Sequence, residues 1–230
     1  MTLKITYNDT FPRWALSELG ADEQTIDHLQ GYVNDVLKYA VGAFEWDVTR
    51  EVIVKIQKGA TYRIRRGRLN GVYGAWKVPC KTTTYGRNRS GFNPADIAKT
   101  GGKTEITLNI GSAYYNYYVR MVDEGDMGHK AAMNYLRGQI AETIFHELTH
   151  AYQHDTGILT NTCSNRIWYH IWDGQPRVNV NSLSFESYRA LPWEVEARSR
   201  ASSLVKGFAK HRKIHKAKSL TFNELQLILK

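Results

Sequence analysis

The sequence predicts an α+β fold in which a small, mainly antiparallel or mixed sheet precedes two functional helices. Three observations predict it. Residues 51–58 and 104–110 alternate with the period-two pattern of strands. Residues 21–43 and 131–155 repeat their apolar positions at helical spacing. A further helical stripe starts just after Pro192, a residue suited to the first position of a helix. The 230 residues are read as one domain spanning 1–230, long enough to bury a sizeable core.

In order, residues 21–43 place Ile26, Leu29, Val33, Val36, Leu37 and Ala40 on one helical face, with Gly42 near the end. Residues 51–58 set Val52, Val54 and Ile56 opposite Ile53 as a strand. Residues 62–68 and 72–78 are expected to form a hairpin around Leu69-Asn70-Gly71. Residues 85–102, rich in Gly, Asn, Arg and Ser, are expected as a loop. Residues 104–110 form a strand through Ile106, Leu108 and Ile110, and residues 111–122 are aromatic and ambiguous.

The helix at 131–155 contains His146-Glu147-Leu148-Thr149-His150. Histidines four apart lie one turn apart on one face, so both imidazoles can reach one metal ion. The intervening glutamate is placed to act as general base toward a metal-activated water. Ile140, Ala141, Ile144, Leu148, Ala151 and Tyr152 share the opposite face and are expected in the core. Gln139, Thr143, His146, Glu147, His150 and His154 are expected to line something polar.

Such a site needs a third protein ligand and an open position. After Pro192 the stripe is Trp193, Ala197, Ala201, Leu204 and Phe208. Glu194 projects at the edge of this stripe, where a carboxylate is costly unless paired or metal-bound. Glu194 is therefore the expected ligand, with Glu196, which points away from the stripe, as the alternative. The expected cofactor is one Zn²⁺ per chain, held by His146, His150 and Glu194.

H-E-x-x-H followed by Glu194-Val-Glu-Ala197 on a later helix resembles the gluzincin zinc metallopeptidases. The resemblance implies a zincin-like fold and hydrolysis of a polypeptide substrate. Glu147 would take a proton from the attacking water and hand it to the leaving amine. Tyr188 or His170, with Tyr169 and Arg189 behind them, would help the metal steady the oxyanion. In this layout residues 104–110 would be an edge strand pairing with substrate. Trp168, Tyr169, His170 and Trp172 would wall the cleft or form a lid, or else pack as a hydrophobic cluster under a long loop. Where the family carries Asp or Asn after the E-x-x-A motif, this chain has Arg198, so Asp155, Glu142 or Glu186 is expected to orient a histidine ligand instead. The segment His146–Tyr152 also resembles the SprT-like proteases that act on DNA-bound proteins. Those supply a later histidine, for which His154 is the stand-in. A non-catalytic module of zincin fold is the remaining alternative.

Composition bounds the partners. Thirty-one basic against 22 acidic side chains give a net charge of +9. The surplus gathers at residues 55–68, at Arg87 and Arg89, and at residues 205–220, where Lys210, Arg212, Lys213 and Lys216 are expected to meet nucleic acid or an acidic protein partner. No run of eighteen apolar residues is present, so no membrane partner is expected. The polar start of the chain and the two well-separated cysteines, Cys80 and Cys163, lead to the expectation of a cytoplasmic protein with reduced thiols.

Overall fold

The structure, a computed structural model, describes residues 5–7, 11–44, 52–57, 74–77, 104–164 and 167–219. Over these it is mixed α and β, with helix dominating. The expected loop at 85–102, Cys80, the first arm of the expected hairpin and the basic residues Lys58, Arg63, Arg65, Arg66, Arg68, Arg87 and Arg89 lie outside the described residues.

Four strands, β1 (Ile5–Tyr7), β2 (Val52–Gln57), β3 (Gly74–Lys77) and β4 (Thr104–Asn109), form a mixed sheet in the order β1-β2-β4-β3. β1, β2 and β4 run parallel, with Val52 opposite Thr104, and β3 runs antiparallel to β4, with Trp76 opposite Ile106. This corrects one expectation. The strand at 104–110 is not an edge: β4 is paired on both sides, and among the described residues the outermost strand on that side of the sheet is β3. Alternation reveals a strand but not its neighbours, because pairing order depends on contacts distant in sequence.

The helices follow the apolar periods. α1 (Arg13–Glu18) leads into α2 (Glu23–Ala43), capped by the Asp22 side chain, which accepts from the Thr25 N–H at 2.7 Å. All six apolar positions expected on α2 are buried. The ambiguous aromatic stretch is helical: α3 (Ile110–Tyr114), a π-helical turn (Tyr115–Val119) and α4 (Arg120–Asp123). Tyr114 stacks on Tyr118 one turn later, ring centres 5.0 Å apart. Packing thus overrides the strand preference of tyrosine.

α5 (His129–Asp155) carries H-E-x-x-H, and α7 (Pro192–Ser219) packs along it. Between them lie an antiparallel sheet of β5 (Leu159–Ser164), β6 (Ile167–Trp172) and β7 (Val178–Asn179), and the short α6 (Phe185–Arg189). This replaces the expected long loop.

The core joins Leu16 of α1, the buried face of α2, Leu108 of β4, Tyr114 of α3, Phe145 and Leu148 of α5, and Ala201 and Phe208 of α7. Tyr39 of α2 wedges between Phe145 and Phe208, at ring distances of 6.0 and 5.4 Å, and its hydroxyl reaches α7 where Gly207 has no side chain. Among the described residues, no helix is long and apolar enough to cross a membrane.

Candidate metal centre

α5 is not half solvated, as its pattern predicts. Ile140, Ala141, Ile144, Leu148 and Ala151 are buried, and so are Glu147, His150, Gln153 and His154 on other faces. α7 covers the polar side. Its own stripe is as expected, with Trp193, Ala197, Ala201 and Phe208 buried, and it carries Glu194 inward at 4% exposure. Burying so many polar groups between two helices is tolerated only if they answer one another.

His146, His150 and Glu194 do so. The two Nε2 atoms lie 3.1 Å apart. Glu194 places Oε1 at 3.1 Å from His150 Nε2 and Oε2 at 3.4 Å from His146 Nε2. Donor atoms around a tetrahedral zinc, bonded at about 2.0–2.1 Å, are separated by roughly 3.3 Å. The spacing therefore suits that geometry, and the group could hold a metal ion.

Gln153 fixes which nitrogen of His150 faces this centre. Its Nε2 donates to the Trp193 carbonyl at 3.0 Å and to Glu196 Oε2 at 2.9 Å. With both acceptors on the nitrogen side, the amide oxygen is the atom that meets His150 Nδ1, at 2.8 Å. An amide oxygen only accepts, so Nδ1 carries the proton and neutral His150 presents the Nε2 lone pair inward. His150 is thus oriented by an amide and not by one of the acids, Asp155, Glu142 or Glu186, expected to orient a histidine. Glu142 accepts from Gln139 at 3.3 Å, Glu186 is exposed on α6, and the side chain of Asp155 lies outside the described residues. Glu196, the alternative ligand, is instead the anchor of Gln153.

The electrostatics call for positive charge at the centre. Burial alone would raise the Glu194 carboxyl. Hydrogen bonds from His146 and His150, the charge of His150 and the Tyr188 hydroxyl outweigh it, and hold the group well below the usual carboxylate range. A proton on an imidazole or a metal ion can supply that charge. Arg198 adds a more distant cation, with Nη1 at 3.8 Å from Glu194 Oε2, while its Nη2 donates to the Arg189 carbonyl.

Glu147 behaves in the opposite way. Burial pushes its carboxyl up to about 7, with His146 pulling down and Glu194 pushing up. Tyr188 on α6 is raised by burial, by Glu194 and by its hydrogen bond to Glu194, so its hydroxyl is engaged with the ligand carboxylate. His170 on β6 stacks on Trp193 at 5.3 Å and 21°, and Trp172 lies 6.4 Å from the same ring. Burial, then the nearby His150, lowers His170 to about 4, so its ring is neutral and Nδ1 has no hydrogen-bond partner.

The other expected residues lie elsewhere. Tyr169, on the opposite face of β6, packs under Arg177 at 4.5 Å. Arg189 is exposed and lies over Phe185. His154 is buried but is not among the three clustered ligands. The side chain of Trp168 lies outside the described residues. Sequence reasoning missed Gln153 and Arg198. The signal for Gln153 was its place three residues after His150, on the same helical face.

No family model, curated protein or solved structure matches this chain.

Proposed function

We propose that this chain is a zinc-dependent peptidase. The observation that carries the reading is the convergence of His146, His150 and Glu194 beside a buried glutamate, Glu147, on the same helix. A purely structural metal site has no need of such a base. The Glu194 position favours the gluzincin resemblance over the SprT-like one.

Zinc, when held by the three ligands, supplies Lewis acidity that lowers the pKa of a water toward about 7 and polarises a carbonyl. The protein's residues do the rest. Gln153, anchored by Glu196, holds the proton of neutral His150 on Nδ1, so that its Nε2 lone pair faces the centre. Tyr188 holds Glu194 in place. Glu147 takes a proton from the attacking water and delivers it to the leaving amine. Of the two side chains expected to steady the oxyanion, Tyr188 is engaged with Glu194, which leaves His170 as the donor. An extended substrate would add to the outer edge of β3, which runs against α5.

The test is hydrolysis of an unfolded, casein-like polypeptide by the zinc-loaded chain, with Glu147→Gln as control. Zinc uptake with hydrolysis in the wild type alone is the expected result. A chain that takes up no zinc on titration rules the reading out. A chain that binds zinc but hydrolyses nothing would be a binding module.

A further inference from the structure

Away from the metal centre, α5 and α7 meet α2 around a cavity of about 580 Å³. Its lining includes Tyr32, Arg137, Phe208, Arg212 and Lys213, with no acidic residue among the described residues that line it. Arg137 stands nine residues before His146 on α5, about 14 Å along the axis. Among the described residues none of the three cations is ion-paired to a carboxylate. Arg137 is half-buried, but its Nε is itself buried and meets no acceptor among the described residues. A buried donor left without an acceptor is a place for a ligand oxygen. The guanidinium of Arg212 lies across the floor, 5.1 Å from the Tyr32 ring centre and 5.8 Å from that of Phe208.

The chemistry narrows the partner. Tyr32 and Phe208 already pack edge to face at 5.7 Å and 71°, and both are nearly buried, so neither offers a face for a stacked base. What the cavity lacks is negative charge with several acceptor oxygens. Two guanidinium forks and an ammonium are donor types suited to phosphate oxygens, and three cations exceed what a single carboxylate neutralises. The volume lies within the range of small-ligand sites. Lys210, expected from the sequence to share a basic stripe with Arg212 and Lys213, is not part of the lining.

We propose that this cavity binds a ligand bearing two linked phosphates. The test is calorimetric titration of the zinc-loaded chain with inorganic pyrophosphate at physiological salt. One site per chain is expected. Arg137→Gln and Arg212→Gln should each weaken it by at least about tenfold, as loss of a charge-assisted donor pair implies. Lys206→Gln, on the same helix outside the lining, should leave it unchanged. Arg212 is exposed, so its variant tests the site even if Arg137→Gln fails to fold, and heat from zinc chelation would be the same in every variant. A single-stranded oligonucleotide serves as second probe. If it competes with pyrophosphate and is equally weakened by Arg212→Gln, the phosphates belong to a nucleic acid backbone. If it does not bind, a free diphosphate is the source. No binding of pyrophosphate, or binding weakened as much by Lys206→Gln as by Arg212→Gln, overturns the proposal.

Discussion

At the metal end of the α5–α7 pair, His146, His150, Gln153, Glu194 and Glu196 bond one another across the helix interface. In the other region, Arg137, Arg212 and Lys213 line a cavity with no acid among its described lining residues. Both regions join the same two helices, but the first buries its polar groups, whereas in the second Arg137 is half-buried and Arg212 and Lys213 are exposed. In the first, His146, His150, Gln153 and Glu194 answer one another from within the chain, while His170 Nδ1 and Trp193 Nε1 beside them meet no hydrogen-bond partner among the described residues. In the second, the charge of the described lining has one sign. Buried charge is tolerated by pairing, and where the pairing is incomplete its sign names the ligand.

The comparison breaks most completely if the metal end does not need its cation. The chain should bind about one zinc, as a single three-ligand site implies. Competition with a chromogenic chelator should show stoichiometric binding abolished by His146→Ala, His150→Ala or Glu194→Gln, whereas Glu196→Gln keeps it. Loss with Glu196→Gln and retention with Glu194→Gln would mean that the carboxylates exchange roles in solution. Next in size is Glu147→Gln. Zinc content should stay, while hydrolysis falls by a factor on the order of 10² or more; undiminished turnover would remove Glu147 from the chemistry.

Gln153→Leu sharpens the comparison by opening the closed network. Zinc affinity should fall by roughly 10–100-fold, the usual cost of losing the partner of a histidine ligand. Glu196→Gln should cost less, because a glutamine oxygen can still accept from Gln153. Equal effects would make Glu196 more than an anchor.

A smaller effect lies in pH. In the metal-free chain the folded Glu147 carboxyl titrates near 7, above its ordinary 4.5. The folded state therefore holds this proton more tightly than the unfolded state does. Stability from Glu147 is full below about pH 4.5 and is lost as pH rises through about 7. Glu194, shifted downward, acts oppositely: its contribution is present above 4.5 and lost as pH falls. Urea unfolding at pH 5 and pH 8 should differ by no more than about 3 kcal/mol on this account, and Glu147→Gln should flatten the difference. An unchanged pH slope in that variant would assign it to other groups.

How much of this was legible varies with the range of the interaction. α2, α5 and α7 follow from apolar spacing, and Pro192 marks the start of α7. His146, His150 and Glu194 were readable because helical phase is local and one carboxylate falls beside a buried stripe. The position of β4 inside its sheet was not readable, since β3 pairs with it from a distant segment. The β5–β6 hairpin hid behind its aromatics. Ile167-Trp-Tyr-His-Ile-Trp172 is a strand pattern that passes for a hydrophobic lid when its partner, Leu159–Ser164, is polar. Gln153 looked like an ordinary polar residue because its value depends on Trp193 and Glu196, forty and forty-three residues on.

Gly207 carries a consequence for how this sequence can drift. Exchanging a helical glycine for alanine ordinarily stabilises by about 1 kcal/mol. Here the new methyl would strike the Tyr39 hydroxyl. Phe145, Phe208 and His211 crowd that ring, so it has little room to step aside. Gly207→Ala should therefore destabilise. In a Tyr39→Phe background the nearest ring atom, Cζ, stands at 3.6 Å, ordinary contact, and the same exchange should stabilise. Thermal melts of the two single variants and the double would reveal this reversal of sign. If it holds, the two positions form an ordered pair in evolution: the hydroxyl must be lost before the methyl is gained, and lineages taking the steps in reverse would pass through a less stable intermediate.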